Sequence, residues 1–225
     1  ARAKAEVLAT LRTGDFALIN GDSPLLEEAV RPYAGKKYRF GYSKSCDFRI
    51  EETTIRNQGI EISLICLGQP EKLFLPLPSR RWAMNAVAAA AMAFLLGVSV
   101  EEIKSSLLNF NPGSQRLEII PLPAGGKIIN DTYNANTLSM INALETSREL
   151  RGKGKLAAVL GDMLELGDYE QEGHREVGRH AVKNQVDLLI CIGERAAWMA
   201  EAARAAGMAG EQVKHYLSKE ESIEF

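Results

Sequence analysis

KIINDTYNANTLSMINALETSREL, Lys127 to Leu150, is the stretch that decides the fold class. Lys127–Ile129 is a short apolar run that reads as a strand, and Ser139–Leu150 has the spacing of a helix. Between them, Asn130, Asp131, Thr132, Tyr133, Asn134, Asn136 and Thr137 crowd one loop with hydrogen-bonding side chains. A bare connection needs two to six residues and little polar chemistry. Strand, polar loop, helix is how α/β proteins build ligand sites, at the carboxyl ends of their strands. The plainer reading, an Asn-rich loop that caps a helix, stands beside it.

Working outward, the rest of the second half repeats the alternation. Strands are expected at Leu117–Ile120, Lys155–Leu160, Asp187–Ile192 and Val213–Tyr216, and helices at Gln171–Asn184 and Ala196–Ala205. The unbroken apolar runs Ala157–Leu160 and Leu188–Ile192 suit a sheet buried on both faces. The pattern predicts an open, largely parallel sheet with crossover helices. Three loops would then leave one sheet edge: the Asn-rich loop, Gly161–Glu170 and Gly193-Glu194-Arg195. No G-x-G-x-x-G fingerprint accompanies them, so a dinucleotide site is weakly supported.

The first half reads differently. Phe16–Ile19 is a short strand followed by Asn20-Gly21-Asp22-Ser23-Pro24 and a helix through Leu25 and Val30. Tyr38 to Leu75 holds short alternating runs, read as partly antiparallel strands. Arg81–Leu96 is an Ala-rich helix of the kind that packs closely on a sheet, and Gly97 ends it. Ser99 with Glu102 forms a capping-box pattern, with Ile103, Leu107 and Phe110 on one face beyond it. Asn111-Pro112-Gly113-Ser114 is the expected boundary, dividing the chain into 1–112 and 113–225.

The bulk numbers narrow the function classes. The 225 residues carry 27 basic and 29 acidic side chains, a net charge of −2, with no basic cluster to favour nucleic acid. The longest apolar run, Ala86–Leu96, is too short to span a bilayer, and no membrane insertion is expected. Cys46, Cys66 and Cys191 are odd in number and far apart, which suits core filling in a reducing compartment. Neither they nor the three histidines have metal-ligand spacing. Asp162, Glu165 and Asp168 are open to two readings, as ligands for a metal or ammonium group or as solvated loop acids. His174 near a helix start reads first as a structural hydrogen-bonder. Arg116 either reaches a phosphate or pairs with Glu118. The chain opens without Met in a helical pattern and stops as another helix begins, as a piece of a longer protein would.

DTYNANTLSM, Asp131 to Met140, resembles the Asp-Ser/Thr-Tyr-Asn-Ala-Asn-x-x-Ser-Met motif of the Mur ligases, in the branch that adds D-alanyl-D-alanine. VLGDMLELGDYEQEGHREVG (159–178), ARAKAEVL (1–8), LINGDSPLL (18–26) and NAVAAAAMAFLLGVSVEEI (85–103) are similar to further segments of the same family, in the same order. The resemblance implies part of a central ATPase domain followed by a Rossmann-like C-terminal domain with a mostly parallel sheet. It implies a cytoplasmic ligase that uses ATP and Mg²⁺ to phosphorylate a carboxylate of UDP-N-acetylmuramoyl-tripeptide. The amine of D-Ala-D-Ala then attacks the acyl phosphate, in peptidoglycan synthesis.

By the same resemblance Lys4 is the lysine that becomes carbamoylated and supports the metal. Asn85 lies near adenine, Arg116 is directed at the ATP phosphates and Asp131 at the ribose. Tyr133, Asn134 and Asn136 face nucleotide and amine substrate, and Asp162 and His174 belong to the substrate site. There are departures. Ser79-Arg80-Arg81 stands where the family has Gly-x-His, Thr137-Leu138 replaces a Pro-polar pair, and no Gly-Lys-Thr phosphate loop is present. The segment alone is therefore expected to be inactive. The alternatives are another Mur-type or folylpolyglutamate ligase, or a non-catalytic ligand-binding module.

Overall fold

A computed structural model describes residues 5–12, 14–56, 59–123 and 125–223. The chain divides into two compact units, Ala1–Asn111 and Pro112–Phe225.

The first unit is a five-stranded sheet in simple sequential order. β1 (Phe16–Asn20) and β2 (Lys36–Gly41) run parallel, joined through helix α1 (Pro24–Ala29). β2 continues parallel to β3 (Phe48–Arg56), and β3, β4 (Gly59–Cys66) and β5 (Gln69–Leu75) form an antiparallel meander. The expected mixture of directions is present. β4 alternates as a half-buried strand should, with Ile60, Ile62 and Leu64 inward. Against them lies α2 (Trp82–Leu95), which buries Ala83, Ala86, Val87, Ala90 and Ala91, a stripe at three- and four-residue spacing. Small side chains on that stripe let the helix axis approach the sheet. α3 (Val100–Leu108) begins with the expected capping box: Ser99 Oγ accepts the Glu102 N–H and the Glu102 carboxylate accepts the Ser99 N–H. Ile103 is buried, whereas Phe110 lies beyond the helix end and packs at a tilt against Trp82. The expected single face therefore stops at Leu107.

The second unit contains a three-stranded parallel sheet in the order β10 (Val213–Tyr216), β9 (Leu188–Ile192), β8 (Ala157–Gly161). Helices α4 (Thr137–Leu150), α5 (Glu170–Lys183) and α6 (Ala197–Ala205) share one core with it. Ile141, Leu144, Val177, Ala181, Met199 and Ala203 meet Leu189, Cys191 and Val213 there. Burying side chains of the size of Leu189 and Met199, both 0% exposed, is worth about 2 kcal/mol each. Two expectations are corrected. β6 (Glu118–Pro121) and β7 (Lys127–Asn130) are hydrogen-bonded to each other as a separate antiparallel hairpin, not as members of the parallel sheet. And β8 is not buried on both faces, since Val159 is 61% exposed. A short helix, α7 (Lys219–Ile223), follows β10.

The cysteines fill space as expected. All three are free, Cys46 and Cys191 are buried, and burial pushes the Cys191 thiol up to about 12.

Candidate functional site

The chemistry-bearing residues of the second unit gather in two places. The first is the start of the hairpin and the loop that leaves it. Arg116 lies between Gln115 (φ 62°) and Leu117 (φ 52°), two non-glycine residues in the left-handed region. Each such residue costs about 1–2 kcal/mol and persists only where its surroundings hold it. Here the holding bonds are visible. Gln115 donates its N–H to Glu118 Oε2 at 3.0 Å, and its carbonyl accepts the Tyr133 N–H at 3.1 Å. Leu117 donates its N–H to Asp131 Oδ1 at 3.0 Å. Glu118 Oε2 also accepts Asn130 Nδ2 at 3.2 Å, across the register pair Glu118–Asn130.

These bonds bring Arg116, Asp131 and Tyr133 together. The Arg116 guanidinium carbon sits 4.1 Å from the centre of the Tyr133 ring, a cation–π stack on a tyrosine that is 63% exposed. Arg116 stacks on Tyr133, and its suggested pairing with Glu118 is not the arrangement seen. Half-buried Asp131 has its carboxyl held above the ordinary aspartate range. Burial is the main cause, and the Leu117 N–H and the Arg116 charge oppose it. A cation, an open aromatic face and a poorly solvated carboxylate thus share one surface. That combination suits a ligand with phosphate, planar ring and hydroxyl groups.

The rest of the Asn-rich loop builds the helix. Asn136 caps α4: its Oδ1 accepts the Ser139 N–H at 2.9 Å and its own N–H donates to Ser139 Oγ at 3.0 Å. The capping reading therefore holds for Asn136, which is an exposed residue. Asn134 Oδ1 accepts the Ala135 N–H at 2.8 Å. Asn134 is an exposed residue as well.

The second place is the carboxyl edge of the parallel sheet. Asp162 follows β8, and its Oδ1 accepts the Ala196 N–H at 2.7 Å at the start of α6. Its carboxylate occupies the space that a side chain on Gly193 (φ 115°) would need. Arg195 lies beside it, with Nε 2.5 Å from Glu170 Oε1 and Nη1 3.9 Å from Asp162 Oδ2. His174 is 0% exposed. Its Nε2 accepts the buried Met163 N–H at 3.0 Å, so the ring carries its proton on Nδ1, which donates to the Glu170 carbonyl at 2.6 Å. The ring edge meets Trp198. His174 thus holds the Gly161–Glu170 loop from inside, and it is Asp162 that remains partly open to solvent. No group of three or more His, Cys, Asp or Glu residues placed to hold a metal occurs among the described residues.

In the first unit, Asn85 lies one turn into α2 on its exposed side. It does not cap the helix, because the N-cap is Arg81. Lys4 lies outside the described residues. Ser79 is buried and Arg80 donates to the Thr53 carbonyl at 2.9 Å, which ties the β5–α2 connection to β3. That contact gives the Ser79-Arg80-Arg81 departure a structural use. Sequence reasoning named Glu118 only as a partner for Arg116, not for Gln115 and Asn130, and it missed the Glu170–Arg195 pair. A carboxylate directly across a hairpin from an asparagine was the one readable signal for Glu118.

Asp22 repeats the Asp162 device in the first unit. It follows β1, accepts the Tyr42 and Ser43 N–H groups at 2.8 Å each, and fills the space beside Gly41 (φ 148°) at the end of β2.

Comparison with known proteins places both units. Residues 1–93 match the Mur ligase middle domain, and residues 115–225 match the domain described as Mur ligase, glutamate ligase domain. The UDP-N-acetylmuramoyl-tripeptide–D-alanyl-D-alanine ligase of Bacillus subtilis is 31% identical over 100% of this chain and 48% of its own length. The Escherichia coli enzyme of the same name is 31% identical over 87% of the chain and 43% of its own length. The chain thus spans about half the length of these relatives. Among solved structures, MurF from Acinetobacter baumannii superposes with a TM-score of 0.84 at 26% identity, covering 100% of this chain and 47% of that one.

Proposed function

The chain belongs to the Mur ligase family, and on that premise we propose that it is the central and C-terminal part of an ATP-dependent, cytoplasmic ligase of peptidoglycan synthesis. Its reaction joins D-Ala-D-Ala to UDP-N-acetylmuramoyl-tripeptide. The observation that carries the reading is the meeting of Arg116, Tyr133 and Asp131 on one surface. These are three of the residues the family resemblance assigns to the nucleotide.

A carboxylate is a poor acyl donor because its negative charge repels an amine and its oxygen is a poor leaving group. In the proposed sequence a carboxylate oxygen of the tripeptide attacks the γ-phosphorus of ATP, and ADP departs. The amine nitrogen of D-Ala-D-Ala then attacks the acyl carbon, inorganic phosphate departs and the amine gives up a proton. Arg116 supplies positive charge toward the phosphates, where negative charge concentrates. Tyr133 offers a flat apolar wall and Asp131 an acceptor for ribose hydroxyls. Asn134 and Asn136, both exposed residues of the same loop, offer amide donors for the amine substrate. Asp162 and His174 keep the neighbouring loop in place. Mg²⁺ would shield charge between phosphate and carboxylate. Among the described residues no group of three or more His, Cys, Asp or Glu is placed to hold it. Three free cysteines agree with a reducing compartment, and no helix among the described residues is long and apolar enough to cross a membrane.

The test uses the full-length protein. Phosphate release should require ATP, Mg²⁺, UDP-N-acetylmuramoyl-tripeptide and D-Ala-D-Ala together, and Asn136→Ala should slow it. Release with glutamate in place of D-Ala-D-Ala would assign the chain to another Mur-type ligase. No release with any amine would leave only a ligand-binding module.

A further inference from the structure

We propose that Glu118 is a positioning residue for nucleotide binding, acting through its bonds to the Gln115 backbone N–H and the Asn130 side-chain amide, which brace the segment that holds Arg116 over Tyr133. The proposal rests on the functional reading above and adds to it a residue that never touches the ligand.

Glu118 opens β6 at the point where the chain turns into the hairpin. One oxygen, Oε2, accepts both the Gln115 N–H and the Asn130 side-chain amide. The first bond fastens a left-handed residue, Gln115, whose carbonyl in turn receives the Tyr133 N–H. The second fastens the residue that precedes Asp131. A single carboxylate thus ties the segment before β6 to the loop after β7, and Arg116 lies inside the tied segment. Without Glu118 the Gln115 N–H loses its acceptor, and nothing on that side offsets the cost of its positive φ. Relaxation of Gln115 toward the right-handed region would re-aim Arg116 and release the Tyr133 N–H.

Glu118 acts here as a hydrogen-bond acceptor, not as a charge. Among the described residues it forms no ion pair with Arg116, whose guanidinium is over the tyrosine ring. The amide oxygen of glutamine can accept the same two bonds. That separates positioning by geometry from any electrostatic effect on the phosphates.

The experiment is steady-state kinetics on the full-length enzyme, with melting temperatures for each variant. Glu118→Ala should raise KM for ATP about tenfold, the size expected for losing one supported bond, with KM for UDP-N-acetylmuramoyl-tripeptide unchanged. Glu118→Gln should stay within about twofold of wild type. A merely structural role would lower stability and the amount of active enzyme and leave KM for ATP alone. Should Glu118→Ala fail to fold, Gln115→Pro removes the same N–H and forbids the positive φ, and should raise KM for ATP in the same way. An unchanged KM for ATP in Glu118→Ala or Gln115→Pro overturns the proposal, and so does a Glu118→Gln enzyme as impaired as Glu118→Ala. Wild-type enzyme that needs no ATP would overturn the functional reading itself, and this proposal with it.

Discussion

The backbone of α5 at Gly178 lies directly against the carbonyl of Met199 on α6, so close that a methyl group on Gly178 would overlap it. Two helices meet there main chain to main chain. Gly178→Ala brings two opposed effects. Alanine gains up to about 1 kcal/mol of helix propensity, but the neighbour is backbone and cannot rotate away. Overlap wins, and a net loss of about 1–3 kcal/mol is expected in urea denaturation. A neutral or more stable variant would show that α5 and α6 can shift apart at no cost.

His174→Leu should cost about 2–3 kcal/mol, because it leaves the Met163 N–H buried without an acceptor. The same variant separates structure from chemistry. With His174 as an internal support, the pH profile of turnover keeps its shape while the melting temperature falls. A lost limb in that profile would make the histidine a proton carrier.

Asp131→Asn should trade function for stability. Burial raises the Asp131 carboxyl above its ordinary value, so its neutral form suits the fold better than its ion. The corresponding contribution to stability is complete below the ordinary aspartate value and is lost as pH rises through the raised one. Asparagine keeps an acceptor for the Leu117 N–H without the charge. The variant should therefore be at least as stable as wild type at neutral pH, with the difference vanishing in acid, and should bind ATP less well. Denaturation curves at the two pH values, with ATP titrations of both full-length proteins, check each half.

Gly193→Ala and Asp162→Ala form a double-mutant cycle. The first forces a side chain into the Asp162 carboxylate and into a positive φ, and should cost about 2 kcal/mol or more. The second leaves the Ala196 N–H unpaired, for about 1–2 kcal/mol. Removing the carboxylate also clears room for the new methyl, so the double variant should be less damaged than the sum by about 1 kcal/mol. Strict additivity would mean the two residues do not share that space.

Much of the fold was legible because its cues are local. Ser99 and Glu102 announce a helix start four residues wide, and Val213–Tyr216 is a strand whatever its partner. Partnership was the harder matter. Ile119, Ile120, Ile128 and Ile129 present apolar side chains to both faces of a hairpin, so no alternation says whether β7 joins the parallel sheet. The Gly125-Gly126 turn was the sign that it pairs with β6 first. In the candidate site, Arg116, Asp131 and Tyr133 stood out by residue type, but the left-handed residues around Arg116 did not. Neither Gln115 nor Leu117 is a residue that ordinarily takes that conformation. His174 read correctly as a hydrogen-bonder on its residue type alone. Its complete burial depends on α5 and α6 closing over it, which no local pattern encodes.

Asp22 with Gly41, and Asp162 with Gly193, amount to a signature of strand adjacency. In each unit an acid just past one parallel strand accepts backbone N–H hydrogen bonds from the loop past the next, and a glycine at the end of that next strand or just beyond it leaves the space the acid fills. Two positions far apart in the chain therefore declare which strands lie side by side, a long-range relation written in two residues of a single sequence.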